Sequence, residues 1–239
     1  INRAREEAGG ADIRIKSRGP IELARGNVLT VRPIIRGFSI EPLQDTILWE
    51  GEIGNATFTI TVPENAKLGS HPGFCEIHLN GLKISSLHFI ILVATNGGEL
   101  SPINSHEVRH RRVFASYASE DRDAVLARIQ GLLKGIPDLK VFLDVASLHS
   151  GVRWQDALKA EILKSDLMYL FWSRAARESE WVDMEWRLGY REKGIDFIDP
   201  VPLVSPMEVP PPSELAELHF NDWILAYMRN TSSPNMESD

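Results

Sequence analysis

Between about residues 11 and 94, polar and apolar positions follow the period of a β-strand. "TFTITV" (Thr57 to Val62) alternates strictly, as a half-buried strand does. "GFCEIHLNGLKISSLHFIILV" reads as two strands joined at Asn80-Gly81, a dipeptide suited to the left-handed conformations of a tight hairpin turn. "DIRIK", "VLTVRP" and "TILWEG" are further strands, set apart by Gly, Pro and Asn. Short strands with turn signals roughly every ten residues predict a small antiparallel β-sandwich at 11–94.

"TNGGELSPINSHEVRH" is polar and rich in breakers, so 95–110 reads as a linker. Beyond it the period changes. "RVFASY" is a short apolar strand. "DRDAVLARIQGLLKGI" places Val125, Leu126, Ile129, Leu132 and Leu133 on one helical stripe. A strand "LKVFLD", a helix "WQDALKAEILKS" and a strand "DLMYLFWS" come next. A helix from about Glu180, a strand "DPVPLV" and a helix around "FNDWILAYM" complete the series. Strands that are nearly all apolar, alternating with helices, predict a parallel sheet covered on both faces. This unit spans 111–229, and 230–239 reads as a disordered tail.

Composition narrows the function. The net charge of -7 argues against a nucleic-acid partner held by phosphate electrostatics. A single Cys forms no internal disulfide, which points to a reducing, cytoplasmic setting. No apolar run reaches the roughly 18 residues a membrane helix needs, so no membrane partner is expected. The chain opens on Ile rather than Met, which suggests a piece of a longer protein.

In an open parallel sheet, ligands bind beyond the carboxyl ends of the strands. Here those segments are "SYASEDR", "DVASLHSGVRW" and "SRAARESEW", and the last runs into "SEWVDMEW" (Ser179 to Trp186). On a helix, Trp181 and Glu185 share a face because positions i and i+4 are neighbours. Taken alone, the pair is a core aromatic beside a solvated glutamate. At this edge of the sheet it is a candidate site.

"VFASYASEDRD", "VFLDVASLHSGVRWQDAL" and "SDLMYLFWSRAARESEWVDMEW" resemble the successive boxes of a bacterial Toll/interleukin-1 receptor (TIR) domain. The resemblance implies a flavodoxin-like fold with a parallel five-stranded sheet. TIR domains of animal receptors are mostly scaffolds, whereas many bacterial and plant members cleave NAD+ at the nicotinamide–ribose bond. In those enzymes the glutamate of a W-x-x-x-E pattern is catalytic. That position is Glu185 here, with Trp181 one helical turn before it.

The chemistry fits a single carboxylate. Glycosidic cleavage builds oxocarbenium character on the ribose, which a carboxylate stabilises or captures. Nicotinamide leaves neutral, so no second carboxyl is needed as an acid. An indole beside the glutamate excludes water and covers the ring or the ribose.

The resemblance also implies substrate-binding roles for Ser116 and Tyr117 at the nicotinamide end. Arg122 and Arg153 would meet the pyrophosphate. Trp154 would lie near substrate, and Ser173 would either bind it or cap the loop. Strand termination, surface ion pairing and helix packing are the alternatives for these residues. NAD+ is then the substrate, with no cofactor and no metal. Self-association through the TIR domain is the expected trigger of activity, in an effector of bacterial immune signalling such as antiphage defence. The β-sandwich would be a regulatory module with an unknown partner. The second loop, "DVASLHSG", lacks the animal signature, so the partner rules of animal receptors do not carry over.

Other chemistries find no support. A response-regulator receiver needs a phospho-acceptor Asp ending its third strand, where this chain has Trp172-Ser173. His71, Cys75 and His78 do not converge as a zinc site, because Cys75 and His78 point to opposite faces of a strand. There is no glycine-rich phosphate loop and no G-x-S-x-G elbow. Two alternatives stay open: a non-enzymatic TIR–TIR scaffold, and a related nucleoside-processing enzyme such as a deoxyribosyltransferase.

Overall fold

The computed structural model describes residues 14–16, 23–51, 54–94, 104–143, 152–218 and 220, with the backbone alone at 14–16, 104–105 and 152–155. The chain divides into two compact units: residues 1–79 with 83–109, and residues 80–82 with 110–239.

The first unit is built on strands β1 (Arg14–Lys16), β2 (Asn27–Ile35), β3 (Ser39–Glu41), β4 (Asp45–Trp49), β5 (Thr59–Thr61), β6 (Gly69–Leu79), β7 (Leu82–Val93) and β8 (Asn104–Arg109). Six of them form one sheet in the order β1-β8-β7-β6-β2-β4, and β3 pairs with β5 in a second, two-stranded sheet. Neighbours in the large sheet are antiparallel at β2–β4, β2–β6 and β7–β8, and parallel at β1–β8. The β6–β7 turn carries positive φ at both Asn80 (52°) and Gly81 (76°), which suits the right-handed twist of the strands it joins. Pro33 is tolerated in β2 because pairing with β4 stops at Val31, so the strand has no partner there on that side.

The linker reading needs correction at its end. Asn104–Arg109 is a strand, paired with β7 through Ser85–Arg109 to His88–His106. Its polar residues conceal it because its neighbours are polar too: the Ser85 hydroxyl donates to Glu107 at 3.1 Å. Residues 95–103 lie outside the described part, as do the expected helix around "FNDWILAYM", beyond Phe220, and the tail at 230–239.

The second unit contains β9 (Arg112–Ser116), α1 (Arg122–Gly135), β10 (Lys140–Leu143), α2 (Val152–Lys164), β11 (Leu167–Trp172), α3 (Arg174–Glu178), α4 (Glu180–Lys193) and β12 (Ile198–Pro202). Its sheet runs β10-β9-β11-β12, and every pairing is parallel. Four parallel strands are present among the described residues, where the family resemblance implied five.

Every residue of β11 is buried, so both faces of the sheet are covered there. One face presents Met168, Leu170 and Trp172 to Leu158 and Ile162 of α2 and to Val182 and Trp186 of α4. The Asp166 carboxylate accepts the backbone N–H groups of Arg111 and Arg112 at 2.8 and 2.9 Å, which fixes the start of β9 beside the start of β11.

Candidate functional site

All four parallel strands point the same way, so Ser116, Leu143, Trp172 and Pro202 end at one edge of the sheet. Helix α4 begins close to that edge for local reasons. The Ser179 hydroxyl caps it by accepting the Val182 N–H. Glu180 and Asp183 occupy its first turn and Arg191 and Lys193 its last, each complementing the helix dipole. Gly194 follows with φ of 85°, a conformation that ends a helix at little cost only for glycine.

The buried stripe of α4 is Val182, Glu185, Trp186 and Gly189, the i, i+3, i+4, i+7 set of a core-facing helix. A glutamate therefore occupies a position that burial would assign to an apolar residue. Glu185 is 7% exposed. Such a carboxylate must be hydrogen-bonded to be tolerated, and the hydroxyl of Ser116, itself fully buried, donates to its Oε2 at 2.7 Å. Gly189 lets the helix approach: a Cβ there would meet Met168 Cε and the Phe197 ring at 3.0 Å. Trp181, one turn before Glu185, is 54% exposed.

Ser173 closes β11 and has two partners. Its oxygen accepts the Ala176 N–H at 3.0 Å, capping α3. Its own proton goes to Asp121 Oδ2 at 2.5 Å, across the edge of the sheet to the turn after β9. Burial pushes the Asp121 carboxyl above its ordinary value, against the hydrogen bond from Ser173, and the neighbouring Glu120 charge adds to the rise. Arg122 Nη1 donates to the Tyr117 hydroxyl at 3.2 Å, so these two candidates meet each other.

Of the residues singled out in the sequence, Ser116, Tyr117, Arg122, Ser173 and Glu185 gather at this edge. Arg153 and Trp154 fall in the first turn of α2, where only the backbone is described, and the second loop, 144–150, lies outside the described residues. Two features escaped the sequence reading. Helix α3 is five residues long, too short for periodicity to register. Asp121 closes the 3-10 turn Ser119–Asp121 that leads into α1, and no local pattern marks its side chain as a partner of Ser173.

Among the described residues, no cluster of His, Cys, Asp and Glu could hold a metal. Burial, with help from Glu76, pushes the Cys75 thiol up to about 11, which leaves little thiolate for nucleophilic work. No helix among the described residues is long and apolar enough to cross a membrane.

A parallel sheet with its edge chemistry gathered beside Ser116 and Glu185 defines an α/β domain of flavodoxin-like type. Residues 113–230 match the family model of the TIR domain, and the chain carries a TIR domain there. The crystal structure of the TIR domain of the Toll-related receptor TRR-2 from the lower metazoan Hydra magnipapillata is similar over 50% of this chain and 89% of that one. Its sequence identity is 19% and its TM-score 0.40. No curated protein sequence matches the chain.

Proposed function

We propose that the TIR domain is an NAD+ glycohydrolase with Glu185 as its catalytic carboxylate. The observation that carries this reading is the buried Glu185 carboxylate, placed on the core stripe of α4 and hydrogen-bonded to Ser116 at the carboxyl edge of the sheet. A protein that needed only a packed helix would gain stability from an apolar residue at this position. A glutamate stands there instead.

The reaction breaks the bond between the ribose anomeric carbon and the pyridinium nitrogen. The bonding electron pair leaves with nicotinamide and neutralises its ring, so no proton has to be supplied. The Glu185 carboxylate stabilises the positive charge that develops on the ribose. Water then adds to the anomeric carbon and loses a proton, giving ADP-ribose. Attack by a nucleophile of the same molecule gives a cyclic isomer instead. Ser116 holds the carboxylate in place, and the exposed indole of Trp181 provides a wall for substrate.

Association between TIR domains would raise activity by completing the site with the neighbour's second loop, in an effector of bacterial immune signalling. The β-rich unit would receive the trigger.

The deciding experiment measures nicotinamide release from NAD+ by wild type and Glu185→Gln over a range of protein concentrations. Gln preserves the shape and removes the charge. Cleavage by wild type, rising with concentration and lost in the variant, is the expected result. No cleavage by wild type in an assembled state leaves a TIR–TIR scaffold.

A further inference from the structure

Asp121 closes a 3-10 turn, Ser119–Asp121, that runs directly into α1, and its backbone is already helical, with φ of -90° and ψ of 0°. Its side chain makes no capping bond. Its carboxylate is instead turned to Ser173, 52 residues away, at 2.5 Å. Ser173 is in turn committed in both directions, because its oxygen caps α3 through Ala176 and its proton goes to Asp121.

Helix α3 passes directly into α4. Arg177 N–H bonds to the Ser173 carbonyl at 3.0 Å, Ser179 N–H bonds to the Ala176 carbonyl at 3.3 Å, and the Ser179 hydroxyl caps α4. The line Asp121–Ser173–α3–Ser179 therefore ends on the turn that carries Trp181. A second tie, Ser116 to Glu185, holds α4 one turn later. Two serines at the ends of neighbouring strands each donate to a carboxylate, and between them they fix the two ends of the Trp181–Glu185 pair.

We propose that Asp121 is a positioning residue for this site: its hydrogen bond from Ser173 fixes α3, and through it the first turn of α4, so that Trp181 is held over the substrate position. The proposal deepens the NAD+-cleaving reading and rests on it for its kinetic arm alone. Burial works against the ionised Asp121 carboxyl, which the hydrogen bond from Ser173 opposes.

The test uses the full chain with Asp121→Ala, Asp121→Asn, Ser173→Ala and the Asp121→Ala/Ser173→Ala double variant. Amide hydrogen exchange is read at Ala176, Arg177 and Val182, together with the global melt. In Asp121→Ala these amides exchange faster by about tenfold or more while the sheet amides of β11 keep their protection. kcat/KM for NAD+ falls on the order of tenfold to a hundredfold. Asp121→Asn, which still accepts the Ser173 proton, recovers most of both losses. The double variant is no worse than Ser173→Ala alone, because Asp121 acts through Ser173. Unchanged exchange at Ala176 to Val182 in Asp121→Ala overturns the proposal, as do additive losses in the double variant. If Asp121→Ala does not fold, Ser173→Ala and Asp121→Asn decide by the same amides. A wild type that leaves NAD+ intact removes the glycohydrolase reading, and the exchange data still decide the positioning.

Discussion

Trp181 and Glu185 lie one helical turn apart on α4 with the burial usual for their types inverted: the tryptophan is 54% exposed and the glutamate 7%. The helix turns its Val182–Trp186–Gly189 stripe to the core, and Glu185 falls within that stripe while Trp181 stands at its rim. Stability alone would place the two the other way round. The proposed function, in which a ligand stacks against the indole and presents positive charge to the carboxylate, would account for the order observed.

Because the Trp181 side chain is half in solvent, Trp181→Ala should lower the unfolding free energy by only about 1–2 kcal/mol. The same change should raise KM for NAD+ about tenfold, the loss expected on removing one aromatic contact of roughly 1.4 kcal/mol. Urea unfolding and steady-state kinetics on one preparation test this. A large loss of stability with unchanged kinetics would assign the indole to packing.

Ser116→Ala removes a buried donor from a buried carboxylate. The expected cost is about 1–3 kcal/mol in unfolding free energy, since Glu185 stays in the core with one partner fewer. Nicotinamide release should fall with it, and Ser116→Thr should restore part of both. Equal stability of wild type and Ser116→Ala in urea would show that the bond contributes nothing.

The first unit carries its own titration. Burial raises the Glu76 carboxyl, but Lys83, Arg32 and His78 together outweigh it, and the carboxyl is lowered from 4.5 to about 2. Arg32 makes the closest contact, with Lys83 at 3.3 Å. A folded-state value below the unfolded one means that the ionised form favours the fold. The contribution is complete above about pH 5 and is lost as pH falls towards 2, amounting to about 3 kcal/mol. Acid titration of this unit's melting should therefore flatten in Glu76→Gln, which should also be destabilised at neutral pH. A wild-type melt that does not change between pH 5 and 2 would rule out this role for Glu76.

The sequence exposed much of the scaffold because hydrophobic periodicity is a local property. β11 is apolar throughout and is buried throughout, and Val125, Ile129 and Leu132 of α1 face the core as their spacing predicts. Asn80-Gly81 forms its turn because only a few residues accept positive φ. β8 stayed hidden because its partners in β7, Ser85 to His88, are distant in sequence and three of those four are polar. Part of the site was legible for a different reason: the Trp181–Glu185 spacing is fixed by helical geometry, and the surrounding boxes resemble the TIR family.

The sequence by itself determined the helix that carries Trp181 and Glu185, the order of elements along the chain, and the edge at which the candidate site lies. Those follow from rise, period and chain direction, which need no distant contact. Tertiary structure alone decided that Glu185 is buried, that Ser116 reaches it from 69 residues away, and that Asp121 accepts from Ser173 across 52 residues. Hydrogen bonds between side chains far apart in sequence have no periodic signature. They exist only once parallel strands have brought their ends to a common edge.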